Sequence, residues 1–313
     1  MRLFIKRLSL FILFGLLSFF IFFISINSFL NTKADFKLDS NVKSLILGHS
    51  HPERAYNDTL IPFTKNLSGA AESYLYTLAK TRKIIEQNPQ IKFVLIECSN
   101  NQFSREMDNW TWGNKMSNRL HIYSPFLKTN EIKLLFTKNP KLFIEATSVL
   151  FRKSFEKILS SNYNYTNKIG GYSWNDLKLE KAPETGNQIQ SEFETSLTNI
   201  NFLKKIISFL NSKKIEVFLI RTPTLKAYNN NYSENQYQKI IKSEFSHTEF
   251  LDLSKYNMNY SNYGDSQHMN GQGAKEFSLW FSKLLNKNLL KKKDKQLFIN
   301  NEIKARTHNK VLW

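Results

Sequence analysis

Acidic residues are scarce in this chain. Its 313 residues hold 26 Asp+Glu against 44 Lys+Arg, which leaves a formal charge of +18. Cysteine is nearly absent: Cys98 alone excludes an intramolecular disulfide framework and any Cys-rich zinc module. There is no internal repeat, and no basic-aromatic repeat or other nucleic-acid-binding pattern accompanies the charge, so no nucleic-acid partner is expected. A bias toward Lys, Asn, Ile and Phe is also what an AT-rich genome produces. A Walker loop, a dinucleotide Gly-x-Gly-x-x-Gly and a Gly-x-Ser-x-Gly elbow are all missing. Apolar residues are plentiful. At 41% of the chain, with 26 Phe and 13 Tyr, they suffice for a sizeable core and argue against a mainly disordered protein. The length suits one large domain or two small ones.

No charge occurs from Leu8 to Leu30. Such a helix reaches about 34 Å, enough for a hydrocarbon core of about 30 Å. Arg2, Lys6 and Arg7 precede it, which by the positive-inside rule places residues 1–7 in the cytoplasm and everything after Asn31 outside. The run exceeds a usual signal-peptide core and no small-x-small cleavage site follows it closely, so an uncleaved anchor over 8–30 is expected before a cleaved signal. The expected location is the cell inner (cytoplasmic) membrane, single-pass, with the main domain on the periplasmic or extracellular side. Residues 31–42 are polar and read as a spacer. The lysine-rich exterior reads as a solvated surface before it reads as a site for anionic lipid or glycan.

From residue 43 the pattern alternates. Ser44 to Leu47 is a short apolar run ending in Gly48-His49-Ser50-His51-Pro52, a strand and its breaker. Glu72 to Asn88 reads as a helix stopped by Pro89, and Ile91 to Ile96 as a buried strand ending at Glu97-Cys98-Ser99-Asn100-Asn101. Residues 103 to about 185 lose this rhythm and read as an inserted, partly helical cap. Helical spacing resumes with Phe193, Leu197, Ile200, Leu203, Ile207 and Leu210, followed by a strand over Ile215 to Ile220, a helix near Glu234 to Phe245, a strand at Phe250 to Leu253 and a last helix marked by Ala274, Phe277, Phe281 and Leu284. Strands alternating with helices of this length imply βαβ units and a parallel sheet covered on both faces. The domain is expected over 43–290, and residues 291–313 read as a basic tail that frays.

Ligands of an open parallel sheet bind outside the carboxyl ends of its strands. Polar clusters follow three strands: Gly48-His49-Ser50-His51, Glu97-Cys98-Ser99-Asn100 and Asp265-Ser266-Gln267-His268. A serine hydroxyl becomes a nucleophile when a histidine takes its proton, and the histidine works best when a carboxylate fixes its tautomer. Asp265 and His268, three apart in a loop, suit that dyad. Cys98 ends an apolar strand and reads as packing. His121, His247 and His308 have no supporting context.

These residues resemble the SGNH (GDSL-like) hydrolase superfamily. Gly48-His49-Ser50 corresponds to its Gly-Asp-Ser with His for Asp, and Asp265-x-x-His268 followed by Asn270-x-x-Gly273-Ala274 to its C-terminal Asp-x-x-His. Gly69 falls at the second-block glycine, and Asn100 at the third-block asparagine, where Cys98 replaces the usual glycine. The resemblance covers about Lys43 to Leu289 without the cap. It implies a flavodoxin-like three-layer α/β/α parallel sheet, a catalytic triad of Ser50, Asp265 and His268, an oxyanion hole formed by Ser50, Gly69 and Asn100, and no cofactor or metal. His49 and His51 would bind substrate or support the serine through hydrogen bonds. A rival reading takes Gly48-His49-Ser50-His51 as the Gly-His-x-His metal motif of calcineurin-like phosphoesterases, but the carboxylate and histidine motifs that precede it there are replaced here by a membrane anchor.

An anchored domain of this type is similar in layout to proteins of cell-envelope polysaccharide O-acylation, such as alginate acetylation and teichoic-acid D-alanylation. That layout implies a serine esterase or O-acyltransferase, an acylated glycan or small ester as substrate, and an MBOAT-type acyltransferase as partner. A non-catalytic glycan-binding or scaffold protein using the same cleft stays open. The topology is testable first: expressed in bacteria, the full chain should stay with the membrane after alkaline carbonate washing, and recovery of a shortened product free in the periplasm would show a cleaved signal instead.

Overall fold

The apolar runs form the strands of a parallel sheet, in a computed structural model that describes residues 1–181, 194–225 and 231–311. Phe193 and residues 182–185 of the expected insertion lie outside the described residues, as does the side chain of His308. The strands are β1 (Ser44–Leu47), β2 (Thr64–Asn66), β3 (Phe93–Glu97), β4 (Glu216–Arg221) and β5 (Glu249–Asp252). They pair in the order β2-β1-β3-β4-β5, every pair parallel. That is the order of doubly wound sheets of the flavodoxin type. β2 escapes sequence reading because Thr64-Lys65-Asn66 has no apolar run; its extended form comes from pairing with the edge of β1, Ser44 against Thr64 and Ile46 against Asn66.

The helices are α1 (Arg2–Lys33), α2 (Ser50–Ala55), α3 (Tyr74–Gln87), α4 (Asn100–Phe103), α5 (Glu106–Thr111), α6 (Ser117–Tyr123), α7 (Thr129–Lys138), α8 (Pro140–Leu159), α9 (Leu197–Ser212), α10 (Asn231–Glu244), α11 (Gly271–Asn286) and α12 (Lys295–Val311). Side chains alternate across a strand, so each strand feeds two cores. Leu45, Leu47, Val94, Ile96, Val217 and Leu219 pack with α3 and α9 on one face. Ile46, Leu95, Phe218, Ile220 and Leu251 pack with α11 on the other. Continuous Leu/Ile/Val runs are what a sheet covered on both faces requires.

Between β3 and β4 the insertion is largely helical. Leu120, Tyr123, Leu135, Phe143 and Leu150 join the core on the α3/α9 side, together with Phe23 and Ile26 of α1. Its later part, residues 171–177, runs past α2 and α11. α1 is long and apolar enough to cross a membrane by length and composition.

Two expectations are corrected. Residues 31–42 are no spacer: α1 continues to Lys33, and the chain then lies against the domain. Phe36 is fully buried between Phe126 and Tyr165, and the amides of Phe36 and Leu38 donate to Gln87 and Asn88 at 2.7 and 2.8 Å. A single aromatic, Phe36, is enough to dock this polar stretch. The tail past residue 290 does not fray as a whole either. α12 buries Ile299, Gln296 bonds the backbone of Asp252 in β5, and Arg306 covers Tyr256 and pairs with Glu276.

One buried ion pair ties these parts together. Lys80 of α3, fully buried, meets Glu72 at 2.6 Å, and it also donates to the carbonyls of Leu67 and Ile169. Tyr123 of α6 donates to the same Glu72. Burial lowers the Lys80 pKa, and Glu72 opposes that shift. Removing one partner of such a pair leaves an uncompensated buried charge. Lys80→Met should therefore cost about 3–5 kcal/mol in urea unfolding, and a second change, Glu72→Leu, should recover much of the loss. Additive losses in the double variant would show that the two groups are not coupled.

Candidate active site

Three chain segments meet at the carboxyl end of the sheet. The first leaves β1 through Gly48, whose φ is +154°; a Cβ there would lie 2.4 Å from Cβ of Glu97 and 2.9 Å from Cγ of Pro52. Only glycine fits that crossing. The chain then turns into α2 with Ser50 as its first helical residue and His49 as its N-cap. Asn66 pins this helix, its amide donating to the carbonyls of Pro52 and Tyr56, both at 2.8 Å. Residues 173–175 hold it from the outer side: the Ser173 amide donates to Glu53, and Arg54 donates to the Trp174 carbonyl at 2.7 Å.

The second segment is the loop before α11. His268 Nε2 lies 2.7 Å from Ser50 Oγ, and His268 Nδ1 lies 2.9 Å from Asp265 Oδ2. A carboxylate on Nδ1 keeps the proton there, which leaves Nε2 to accept from the serine hydroxyl. Although desolvation pulls the other way, the hydrogen bonds from His268 and from the amides of Gln267 and His268 hold the Asp265 carboxyl down to about 2. Asn270 anchors the loop by capping α11 at the Gly273 amide (3.0 Å) and donating to the Ser261 carbonyl (2.8 Å). A Cβ on Gly273 would sit 2.1 Å from the Asn262 carbonyl oxygen, so the Asn-x-x-Gly spacing is a packing requirement. The amide of Gly271 donates to Asn175, and Trp174 lies over its Cα. The 173–175 segment thus clasps both the serine helix and the histidine helix.

The third segment follows β3. Ser99 Oγ donates to Asn101 Oδ1 at 2.6 Å and so accepts from His49 Nε2 at 2.8 Å. His49 Nδ1 is then an acceptor, 3.5 Å from Ser50 Oγ and 3.4 Å from the His51 amide. Burial, reinforced by His51 and His268, holds His49 well below the usual histidine range. Burial and His268 push His51 down to about 3, against weaker pulls from Gln267 and Asp265. Both rings are neutral over the physiological range. Glu97, beneath Gly48, is pushed up to about 7 by burial, although the hydroxyl and amide of Thr222 both donate to it.

The expected residues are placed unequally. Ser50, His268 and Asp265 come together in one line. His49 and His51 are buried beside them, their rings 4.3 Å apart. The Gly69 amide donates to the Gly48 carbonyl at 3.0 Å, extending the β1–β2 ladder, so it is already engaged as a donor. Asn100 opens α4, and its side-chain oxygen accepts from the Asn101 amide at 3.1 Å. The asparagine linked to the serine cluster through Ser99 and His49 is Asn101. Cys98 is fully buried with its thiol pushed up by burial and by Glu97. Glu97, Thr222, Asn66 and Trp174 carry no role in the sequence reading. Glu97 alone offered a signal, as a carboxylate closing an apolar strand. His49, His51 and Glu97 place ligand atoms within 4.8 Å of one another and are the described group that could hold a cation there, although His49 already bonds Ser99 and Glu97 bonds Thr222. Beside Gly69 opens a cleft of about 340 Å³, lined by Glu53, Ala70, Arg119, Lys168 and Tyr172 among others.

Comparison with known proteins adds little detail. A family model matches residues 151–290, which include Asp265 and His268 but not Ser50 and amount to less than half of the chain. No curated protein matches the chain. Among solved structures, a GDSL-like lipase from Bacteroides thetaiotaomicron is 10% identical over 82% of this chain and 92% of its own, with a TM-score of 0.35. A protein assigned as an acylhydrolase from Bacteroides fragilis is 10% identical over 83% and 94%, with a TM-score of 0.36. At such scores the likeness decides neither the fold nor the chemistry of this chain.

The buried titratable groups set a pH dependence. In the folded state His49 and His51 stay neutral where free histidine, at 6.5, takes a proton, so unfolding below that pH takes up two protons. Glu97 acts oppositely, holding its proton up to about 7 where a free carboxyl releases it at 4.5. From these groups stability falls as pH drops from 6.5 toward 4.5, by a net of about one proton or about 1.4 kcal/mol per pH unit. Glu97→Gln should roughly double that slope in urea titrations and should stabilise the chain at pH 8, where the wild-type carboxylate is charged and buried. An unchanged slope would show that Glu97 titrates as an exposed carboxyl.

Proposed function

We propose that the protein is an acyl-ester hydrolase or O-acyltransferase of the SGNH type, acting through a Ser50-His268-Asp265 triad on an acylated glycan or similar polymer at the outer face of the cytoplasmic membrane. The observation that carries this reading is the line from Ser50 Oγ to His268 Nε2 at 2.7 Å and from His268 Nδ1 to Asp265 at 2.9 Å. Ser50 Oγ attacks the ester carbonyl carbon while its proton passes to His268 Nε2, and Asp265 stabilises the imidazolium that forms. Collapse of the tetrahedral species expels the alkoxide, which takes the proton back from His268 and leaves an acyl-serine. Water or a sugar hydroxyl then gives its proton to His268 and attacks the acyl carbon, and as the acyl group leaves, Ser50 Oγ takes that proton back from His268. The amide of Ser50, in the first turn of α2 where helix N–H groups lack helical partners, and the side chain of Asn100 supply the oxyanion hole in this reading.

A polar, hydroxyl-rich substrate suits the surroundings. The cleft beside Gly69 carries Arg119, Lys168 and Glu53 instead of an apolar wall, and the half-exposed indole of Trp174 offers a flat face to a sugar ring. α1 supports a membrane-tethered location, and a membrane acyltransferase of the MBOAT type is the partner that would deliver acyl groups if the reaction is transfer. No cofactor is needed for these steps.

The nucleophile can be tested directly. A fluorophosphonate probe should label the wild-type chain and the Cys98→Ala variant but not Ser50→Ala, and turnover of a generic acetyl ester should follow the same pattern. Asp265→Asn should lose orders of magnitude in kcat, the equivalent change in a serine protease costing about 10⁴-fold. Wild-type protein that neither labels nor turns over, while still binding glycan, would replace this reading with that of a binding or scaffold protein.

A further inference from the structure

We propose that the groove between α1 and the α7–α8 hairpin is filled by phospholipid acyl chains, so that the hairpin is seated in the outer leaflet and not in water. This inference rests on reading α1 as a membrane span. The groove holds about 650 Å³ and is walled by Leu16, Phe19, Phe20 and Phe23 of α1 against Phe136 of α7 and Ile144 of α8, with Lys133 among its few polar neighbours. Its walls are fixed by ring contacts: Phe19 and Phe22 meet Phe151 at 5.5 and 5.2 Å, Phe22 meets Phe155 at 5.7 Å, and Phe136 meets Phe143 at 5.7 Å.

Depth identifies the occupant. Counted from Arg7, the last charge before the apolar run, Phe19 lies about 18 Å and Phe23 about 24 Å along α1. Both fall inside a hydrocarbon core of about 30 Å, which ends near Asn27. Asn27 is where the domain first makes a polar contact with α1, its side-chain oxygen accepting from the Ser124 hydroxyl at 2.7 Å. α8 meets α1 below that level. Ile144, Ser148, Phe155 and Leu159 fall on one helical face together with Phe151, which packs on α1, and Ile144 and Leu159 are 61% and 85% exposed. Phe136 and Phe155 are exposed as well. This face adjoins the apolar surface of α1 through the Phe19–Phe151 and Phe22–Phe155 ring contacts, with Ser148 its one polar member and exposed Glu145, Arg152 and Glu156 along its border, so the medium around α1 also reaches the groove. Exposed Lys133 at the groove, with Lys138 and Lys141 at the turn of the hairpin, can reach headgroup phosphates while their stems stay among chains.

Spin labels on the full chain in phosphatidylcholine/phosphatidylglycerol vesicles test this. The native Cys98 is buried, so a label goes to an introduced cysteine. Phe136→Cys and Ile144→Cys are compared with Phe11→Cys on the open face of α1 and with Leu197→Cys on an exposed position of α9. The ratio of collisions with oxygen to collisions with a nickel chelate should be several-fold higher at 136 and 144 than at 197, and should resemble that at 11. If 136 and 144 behave like 197 while 11 is lipid-exposed, the hairpin is in water and the proposal fails with the anchor intact. If 11 also behaves like 197, the membrane reading of α1 falls and the proposal falls with it. Dipolar broadening at 136 or 144, with shielding from both relaxants, would show a second copy in the groove and overturn the lipid assignment.

Discussion

Gly48 crosses the side chain of Glu97 so closely that a Cβ would stand 2.4 Å away, and the path of the chain out of β1 follows from that contact. The crossing turns the backbone directly into α2 and presents Ser50 at the first helical position. It depends in turn on the β1–β3 register, Leu47 against Ile96, which brings Gly48 over Glu97. The serine therefore sits on sheet geometry and not on a free loop. The β2–β1 ladder, prolonged by Gly69 to Gly48, holds the same turn from its other side.

Around that turn the protein has buried three ionisable groups and shifted each toward its neutral form. His49 is tied through Ser99 to Asn101, His51 stands 3.9 Å from Glu97, and Glu97 is held by Thr222. Desolvation disfavours the charged form of each, lowering the histidines and raising the carboxyl. The charge of the cluster is concentrated in Asp265, which is half exposed and receives hydrogen bonds from His268 and two backbone amides. Such a division, two buried neutral imidazoles below and one oriented carboxylate at the rim, suits proton transfer along Ser50-His268 in the proposed reaction.

The insertion between β3 and β4 serves two places at once. Ser124 and the α8 rings Phe151 and Phe155 pack on α1, Phe126 and Tyr165 hold Phe36, and residues 173–175 clasp α2 to α11 beside the serine and histidine. Lys80, bonded both to the Ile169 carbonyl and to Glu72, joins that insertion to α3 and to the Leu67 turn before Gly69. The helix that would enter the membrane is therefore mechanically continuous with the walls of the candidate site.

Much of this was determined by the sequence alone. Ser-Leu-Ile-Leu, Phe-Val-Leu-Ile and Val-Phe-Leu-Ile read as strands buried on both faces, and the uncharged Leu8–Leu30 run as a long apolar helix. Gly48-x-Ser50 and Asp265-x-x-His268, each beyond a strand, marked the groups that meet at 2.7 Å because parallel strands bring their carboxyl ends to one edge. What the tertiary structure decided involves partners distant in sequence. β2 exists because β1 offers it an edge, Phe36 is docked because Phe126 and Tyr165 receive it, and α12 is held because Asp252, Tyr256 and Glu276 meet its side chains. The link from Asn101 through Ser99 to His49 belongs to the same class: adjacent Asn100 and Asn101 differ only in direction, and direction is set by the turn into α4. Burial likewise fixed the protonation of His49, His51 and Glu97, since desolvation is a property of the surroundings and not of the residue.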